Sequence, residues 1–217
     1  GGHLPAPSEM SLFELRQKVT KQGYDLGIAF DGDGDRLGII DSNGRYMTAN
    51  EILVLLYYYL HEYKGWSGPV VRNMSTTHML DRLAESFGEK CYEVPVGFKH
   101  ISGKLDEVDA VLGGESSGGL TVRGHIPGKD SVYAAALFVE AICALNKSPS
   151  QIMDSLYARL GNHAMAEESL PLPAGGKDTV YHDLMERRNL PDFGTPIDRV
   201  SYLDGCKVYF TDGSFAV

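Results

Sequence analysis

A short acidic loop between two apolar segments constrains this chain more than any other feature. The loop reads Asp31-Gly-Asp-Gly-Asp-Arg36, and apolar runs at 25–30 and 37–41 flank it. Short apolar runs bounded by turn residues are typical of strands, so we predict a tight strand–loop–strand unit. The two glycines of the loop permit the backbone angles of a sharp turn, which lets its three aspartates converge on one point.

The three aspartates predict a metal site. Close carboxylates repel one another unless a cation lies among them, and hard cations such as Mg²⁺ take oxygen ligands. Asp31, Asp33 and Asp35 are therefore candidate Mg²⁺ ligands. Arg36 adds a fixed positive charge whose fork of donors matches a carboxylate or a phosphate. The loop thus predicts a metal site that faces an anionic substrate.

The loop has three other possible interpretations. A calcium EF-hand needs Gly at the sixth position and Glu at the twelfth, where this chain has Arg36 and Ser42. An aspartyl phosphatase of the haloacid dehalogenase type would use Asp31 as nucleophile and Asp33 as acid/base. It stays open, although that family usually has Thr or Val at the position of Asp35. A solvated acidic turn does not explain three aspartates in five residues between apolar strands.

Composition narrows the classes of function. The formal net charge of −9 argues against a nucleic-acid partner or an anionic membrane, because both require clustered Lys and Arg. No apolar stretch reaches transmembrane length. Cys91, Cys143 and Cys206 are odd in number and widely spaced, which favours a reducing compartment, and we expect a cytoplasmic protein.

Alternating strand and helix patterns predict an α/β fold, with a parallel or mixed sheet and flanking helices. The predicted strands lie at 69–74, 90–94 and 108–112, and the predicted helices at 8–22, 50–63, 76–87, 100–105 and 129–145. In such sheets, ligands bind at the loops that leave the carboxyl ends of the strands. We expect the acidic loop, the Gly97-Phe98-Lys99 loop and the Gly114-Glu115-Ser116 loop there.

Beyond Gly161 the character of the sequence changes. A Pro- and Gly-rich linker at 170–176 precedes a predicted helix at 179–188 and strands near Val200, Val208 and Phe215. The chain begins with Gly rather than Met and stops within the last of these predicted strands. We expect it to be a piece of a longer protein.

Three groups of polar residues add to the acidic loop. Glu115 and Ser117 lie on a glycine-rich turn, where a carboxylate and a hydroxyl suit neighbouring hydroxyls of a sugar. Lys99 follows Phe98, and an ordinary surface lysine is the alternative. His125 and Lys129 precede a predicted helix start, where anions are favoured, with a simple cap by Asp130 as the alternative.

Taken in order, these motifs resemble the α-D-phosphohexomutase family of phosphoglucomutases and phosphomannomutases. The resemblance rests on Asp31-Gly-Asp-Gly-Asp-Arg36, Val96-Gly-Phe-Lys99, Gly114-Glu-Ser-Ser-Gly118, Lys129-Asp130 and the opening Gly2-His3-Leu4-Pro5. Members have four domains around a central cleft. The resemblance implies that 1–45 is the last part of the second domain, 46–160 the third domain, and 161–217 the linker and beginning of the fourth.

The resemblance also implies a reaction. A phosphoserine on the first domain exchanges a phosphoryl group with glucose 1-phosphate or glucose 6-phosphate through glucose 1,6-bisphosphate, and mannose phosphates are further candidates. The three aspartates would hold Mg²⁺, and Arg36 would steady the phosphate. Glu115 and Ser117 would grip the sugar hydroxyls, while Lys99, His125 and Lys129 would line the cleft. Phe98 favours glucose slightly, because mannose-tolerant members often carry His there.

The chain also departs from the family pattern. It lacks the catalytic Thr-Ala-Ser-His-Asn-Pro type loop and the Arg-x-Ser-Gly-Thr-Glu-Pro phosphate loop. Ser75-Thr76-Thr77-His78 is only superficially similar to the former, and we interpret Thr76 as a helix cap. We therefore expect the chain alone to show no mutase turnover. A non-catalytic module that binds a metal or a sugar phosphate remains a further alternative.

Overall fold

The computed structural model describes residues 5–161, 163–168 and 170–217. These fall into two compact units, the first extending to His163 and the second running from Ala164 to Val217. The family-like opening Gly2-His3-Leu4 lies outside the described residues. Within the described ranges, no helix combines the length and the apolarity needed to span a bilayer.

The first unit contains a small antiparallel sheet that carries the acidic loop. Its strands are β1 (Leu26–Phe30), β2 (Leu37–Asp41) and β3 (Tyr46–Met47), in the order β1-β2-β3. Helix α1 (Phe13–Gln22) begins later than the predicted start at Ser8 and ends at Gly23, which adopts a left-handed conformation. The acidic loop therefore joins two antiparallel strands. Our expectation that it leaves a strand of the parallel sheet was wrong.

A four-stranded mixed sheet forms the rest of this unit and confirms the predicted α/β fold. Strands β4 (Val70–Asn73), β5 (Cys91–Val94) and β6 (Leu112–Gly114) are parallel in the order β5-β4-β6. Strand β7 (Leu120–Val122), which was not predicted, pairs antiparallel with β6. The glycine-rich segment between β6 and β7 is thus a hairpin turn.

Five helices cover this sheet, namely α2 (Ala49–Tyr58), α3 (Met79–Ser86), α4 (Phe98–Val108), α5 (Ser131–Leu145) and α6 (Pro149–Leu160). Helix α2 continues as a π-helical turn at Tyr59–Tyr63. The predicted strand at 108–112 begins only at Leu112 because α4 extends to Val108. Sequence reasoning missed α6, although Ser148 and Gln151 form a capping box at its start.

The core is built around α2. Every residue from Ile52 to Tyr57 is buried, in one cluster with side chains of β2, β4, β6, α5 and α6. Beneath the edge of the sheet, the buried Arg72 donates to both carboxylate oxygens of Asp81, at 2.7 and 2.8 Å, and to Glu93 at 2.7 Å. These ion pairs fasten β4 to α3 and β5, and so fix the strand ends that carry the site.

The second unit contains helix α7 (Gly176–Tyr181), extended by a π-helical turn at His182–Glu186, and three strands. Strands β8 (Ile197–Ser201), β9 (Lys207–Phe210) and β10 (Phe215–Ala216) form an antiparallel sheet in the order β10-β9-β8. The strands predicted near Val200, Val208 and Phe215 are confirmed, and the helix begins earlier than predicted.

Candidate active site

The acidic loop gathers its three carboxylates. One carboxylate oxygen from each of Asp31, Asp33 and Asp35 lies within 4.8 Å of the others. Of the two loop glycines only Gly34 has a positive φ, of 73°, so the turn needs glycine at that position and not at Gly32. Three convergent oxygen ligands suit a hard divalent cation such as Mg²⁺, so the donor set fits the predicted metal.

Asp31 is held by its own loop. Its Oδ1 atom accepts hydrogen bonds from the backbone nitrogens of Asp35, at 2.9 Å, and Arg36, at 3.1 Å, while Oδ2 accepts from Arg36 Nε at 2.6 Å. Burial of Asp31 on its own would raise its pKa, but the hydrogen bonds from Arg36 and Asp35 outweigh it and hold this pKa well below the usual value. Asp31 is therefore ionised at neutral pH.

A second cation reaches the loop from the segment before α5. The Lys129 ammonium forms an ion pair with Asp35, whose other carboxylate oxygen lies 3.7 Å from Arg36 Nε. The lysine side chain crosses Gly119 so closely that a Cβ there would lie 2.1 Å from Lys129 Cδ. Gly119 thus leaves the space through which Lys129 reaches the aspartates.

Glu115 lies at the meeting point of three parallel strand ends. Its buried carboxylate accepts from Asn73 Nδ2 at 3.3 Å and from the backbone nitrogen of Gly97 at 3.2 Å, both through Oε1. Asn73 ends β4, Gly97 follows β5, and Glu115 follows β6. The exposed Ser117 donates to the other oxygen, Oε2, at 3.4 Å. This is the edge of an α/β sheet where ligands are expected.

The two loops lie side by side. The backbone nitrogen of Leu37, just after the acidic loop, donates to Gly118 O at 3.4 Å. The backbone nitrogen of Ser131, the first residue of α5, donates to Gly34 O at 3.2 Å, and the Ser131 hydroxyl bonds to the same oxygen. A candidate metal site and a candidate hydroxyl-binding carboxylate therefore share one surface of the first unit.

The remaining predicted site residues are Phe98, Lys99 and His125. Phe98 and Lys99 lie in the first turn of α4 rather than in a loop, with Phe98 half-buried and Lys99 exposed. His125 Nε2 lies 2.9 Å from Asp130 Oδ2, and its ring stacks on Tyr133 at 4.0 Å between centroids. No hydrogen bond or ion pair joins Lys99 or His125 to Glu115 or the three aspartates within the described residues.

Asp130 itself occupies the helix N-terminus at which we expected an anion. Its Oδ1 atom accepts from the backbone nitrogen of Tyr133 at 2.9 Å and caps α5. Hydrogen bonds from Tyr133 and then from His125 lower the pKa of Asp130. The cap by Asp130 is therefore present, but its neighbours are not simply solvated, because Lys129 pairs with Asp35 and His125 with Asp130.

Sequence reasoning missed two polar residues beside Glu115, namely Asn73 and Thr76. The interpretation of Thr76 as a helix cap was wrong, because α3 begins at Met79, whose backbone nitrogen donates to the hydroxyl of Thr77. The hydroxyl of Thr76 instead accepts from the backbone nitrogen of Ser116 at 3.0 Å. An asparagine at the end of a buried apolar strand was the available signal.

Comparison with known proteins identifies the family. Residues 48–160 match the family model described as "Phosphoglucomutase/phosphomannomutase, alpha/beta/alpha domain III", and residues 1–44 match the corresponding domain II. A phosphoglucomutase/phosphomannomutase of Thermococcus kodakarensis is 28% identical over 98% of this chain and 45% of its own length. A phosphoglucomutase of Rhizobium radiobacter is 30% identical over 99% of this chain and 43% of its own length.

The solved structures agree with the sequence relatives. A putative phosphomannomutase from Thermus thermophilus is 27% identical and superimposes with a TM-score of 0.78, over 95% of this chain and 43% of that one. The chain therefore belongs to the phosphoglucomutase/phosphomannomutase, or α-D-phosphohexomutase, family. It spans less than half the length of the curated relatives just described, at 45% and 43%.

Proposed function

We propose that this chain supplies the metal loop and the sugar-contacting loop of a Mg²⁺-dependent phosphohexomutase. The parent enzyme would interconvert hexose 1-phosphate and hexose 6-phosphate through a phosphoserine and a bisphosphate, with glucose slightly favoured over mannose. Within it, 1–45 would end the second domain, 46–160 form the third, and 161–217 begin the fourth. The observation that carries the proposal is the convergence of Asp31, Asp33 and Asp35 beside the Glu115 turn.

The acidic loop would hold the metal. Bound Mg²⁺ would neutralise negative charge on phosphate oxygens during transfer. Ionised Asp31 and its partner Arg36 support this role, because together they offer a carboxylate ligand and a guanidinium on a side chain that is 40% exposed. Lys129, paired with Asp35, would keep a second positive charge at the place where phosphate approaches.

The Glu115 turn would bind the sugar. A carboxylate oxygen can accept from two neighbouring hydroxyls, and Ser117 beside Oε2 can both donate and accept. Contacts of this kind are compatible with either orientation of a hexose. The proposed reaction requires both orientations, because the bisphosphate would reorient within the site. Lys99, Phe98 and His125 would complete the cleft wall, with Lys99 meeting a phosphate and Phe98 an apolar ring face.

The phosphatase alternative receives no support from the geometry. A nucleophilic aspartate needs an accessible oxygen, whereas Asp31 is buried and both of its oxygens accept hydrogen bonds within the loop. An attack by Oδ2 would also break its bond to Arg36. The same three hydrogen bonds suit a residue that orients a metal site.

The metal proposal can be tested by calorimetric titration of Mg²⁺ into the chain. Asp33→Asn removes one charge from an exposed ligand and should weaken Mg²⁺ affinity by roughly tenfold or more. Asp25→Asn is the matched control, because Asp25 is exposed and lies just before β1, at the opposite end of that strand from the acidic loop. Equal Mg²⁺ binding by both variants and the wild type would contradict the proposal, as would no binding by any of them.

A further inference from the structure

We propose that Asn73 and Thr76 are positioning residues that orient Glu115 and thereby set the direction in which the site presents its carboxylate to a sugar. The inference rests on the proposed function for the identity of the ligand. Its geometric part concerns this chain alone. Neither residue carries out chemistry, and both act through the Glu115 turn.

Asn73 has one orientation only. Its side chain is buried, and its Oδ1 atom accepts from the Ser75 backbone nitrogen at 3.1 Å, from the Ser75 hydroxyl at 3.0 Å and from the Thr76 hydroxyl at 2.7 Å. Because three donors converge on Oδ1, the amide nitrogen must point the other way. That direction leads to Glu115 Oε1, at 3.3 Å.

Thr76 links the same network to the next residue of the turn. Its hydroxyl is fully buried, donates its proton to Asn73 and accepts from the Ser116 backbone nitrogen at 3.0 Å. One hydroxyl therefore fixes both the amide that faces Glu115 and the backbone that follows it. Valine at this position would keep the shape and remove both bonds.

These contacts give the two carboxylate oxygens of Glu115 different partners. Oε1 accepts from Asn73 and from the Gly97 backbone nitrogen, while Oε2 faces Ser117 on the exposed side of the turn. A buried carboxylate that loses one of its donors turns to find another, because an unsatisfied buried charge is costly. Without Asn73 or the Thr76 hydroxyl, Oε2 would no longer hold one direction.

The first test needs no ligand. Amide hydrogen exchange, measured by NMR on the chain, reports the Ser116 and Gly97 bonds directly. Thr76→Val should speed exchange at Ser116, and Asn73→Ala at Gly97, each by roughly five- to tenfold. Thr77→Val is the matched control, because this buried threonine instead accepts from Met79. Exchange unchanged at both amides in both variants would overturn the inference.

The second test uses glucose 1-phosphate as the probe, with Mg²⁺ present. Thr76→Val and Asn73→Ala should each weaken its affinity by roughly tenfold, while Thr76→Ser and Thr77→Val stay near the wild type. If hydrogen exchange at these amides changes but the affinity for glucose 1-phosphate does not, the positioning role is overturned. If the wild type binds no glucose 1-phosphate yet the amides respond as expected, the sugar-binding proposal fails, and the orientation of Glu115 by these residues stands.

Discussion

The two loops of the site are built in different ways. In the acidic loop the contacts of Asp31 are local, because the groups that hold it come from Asp35 and Arg36, four and five positions along the chain. The Glu115 carboxylate is held by Asn73 and Gly97, 42 and 18 positions away, at the ends of other strands. The bonds that hold Asp31 therefore need only the loop's own residues, although Lys129 and Ser131 also contact the loop. The bonds that hold Glu115 depend on the ends of other strands.

The largest expected effect comes from a substitution in the acidic loop. Asp31→Asn replaces an ionised, buried carboxylate, a proposed metal ligand, with an amide that faces the Arg36 donor. We expect Mg²⁺ affinity to fall by roughly a hundredfold and the free energy of unfolding by about 2 to 3 kcal/mol, as for other losses of a buried charged partner. Calorimetry and urea unfolding measure the two quantities.

The same variant tests whether the loops are independent. Because the Glu115 contacts come from other elements, NMR shifts and exchange at Gly97 and Ser116 should stay as in the wild type. If those amides change as much as the acidic loop does, the distinction between a local and an assembled half of the site is wrong. Asp25→Asn again serves as the control for charge.

This distinction also explains what sequence alone could predict. The acidic loop was predicted with its flanking strands, because spacing, alternating glycines and apolar boundaries are all encoded in one continuous stretch, 25–41. The Glu115 turn was found as a motif, but its partners were not, since nothing local pairs Asn73 with a residue 42 positions later. Thr76 was misassigned for the same reason, because its partner Ser116 is 40 positions away.

Sequence reasoning also missed β7, the strand whose pairing with β6 places Glu115 in a hairpin turn. Strand β7 has only three residues, Leu120–Val122, and follows a run of glycines, so periodicity carries no signal there. Helix α6 is a different case. Its capping box and its apolar spacing at Ile152, Met153 and Leu156 were present in the sequence and would have predicted it.

A second prediction tests the Glu115 part of the site by disturbing the core packing beneath it. Gly114 ends β6 just before Glu115, and a Cβ there would lie 2.2 Å from Leu53 Cδ2 and 3.2 Å from Gly119 O. Gly114→Ala should lower the free energy of unfolding by about 1 to 3 kcal/mol, because a packed core must shift to admit it. It should disturb Gly97 and Ser116 while leaving Mg²⁺ affinity unchanged.

Gly103→Ala provides the matched control. Gly103 lies inside α4, and nothing comes within 4 Å of a Cβ placed there. The same substitution should raise the free energy of unfolding by about 0.5 to 1 kcal/mol, since alanine favours a helix interior. If chemical denaturation gives both variants the same sign, steric contact beneath Glu115 does not decide the effect at Gly114.

The smallest expected effect lies at the start of α5, where Asp130 combines a local cap with a contact to His125. Its folded-state pKa is lowered by the backbone nitrogen of Tyr133 and by His125, so its ionised form stabilises the fold above the unfolded-state pKa. That contribution disappears as the pH falls below about 4.

Asparagine also caps helices well, so Asp130→Asn should cost less than about 1 kcal/mol near neutral pH. The difference in free energy of unfolding between wild type and variant should then shrink as the pH falls from about 5 through the lowered folded-state pKa. A difference at Asp130 that is constant with pH would mean that its charge does not contribute.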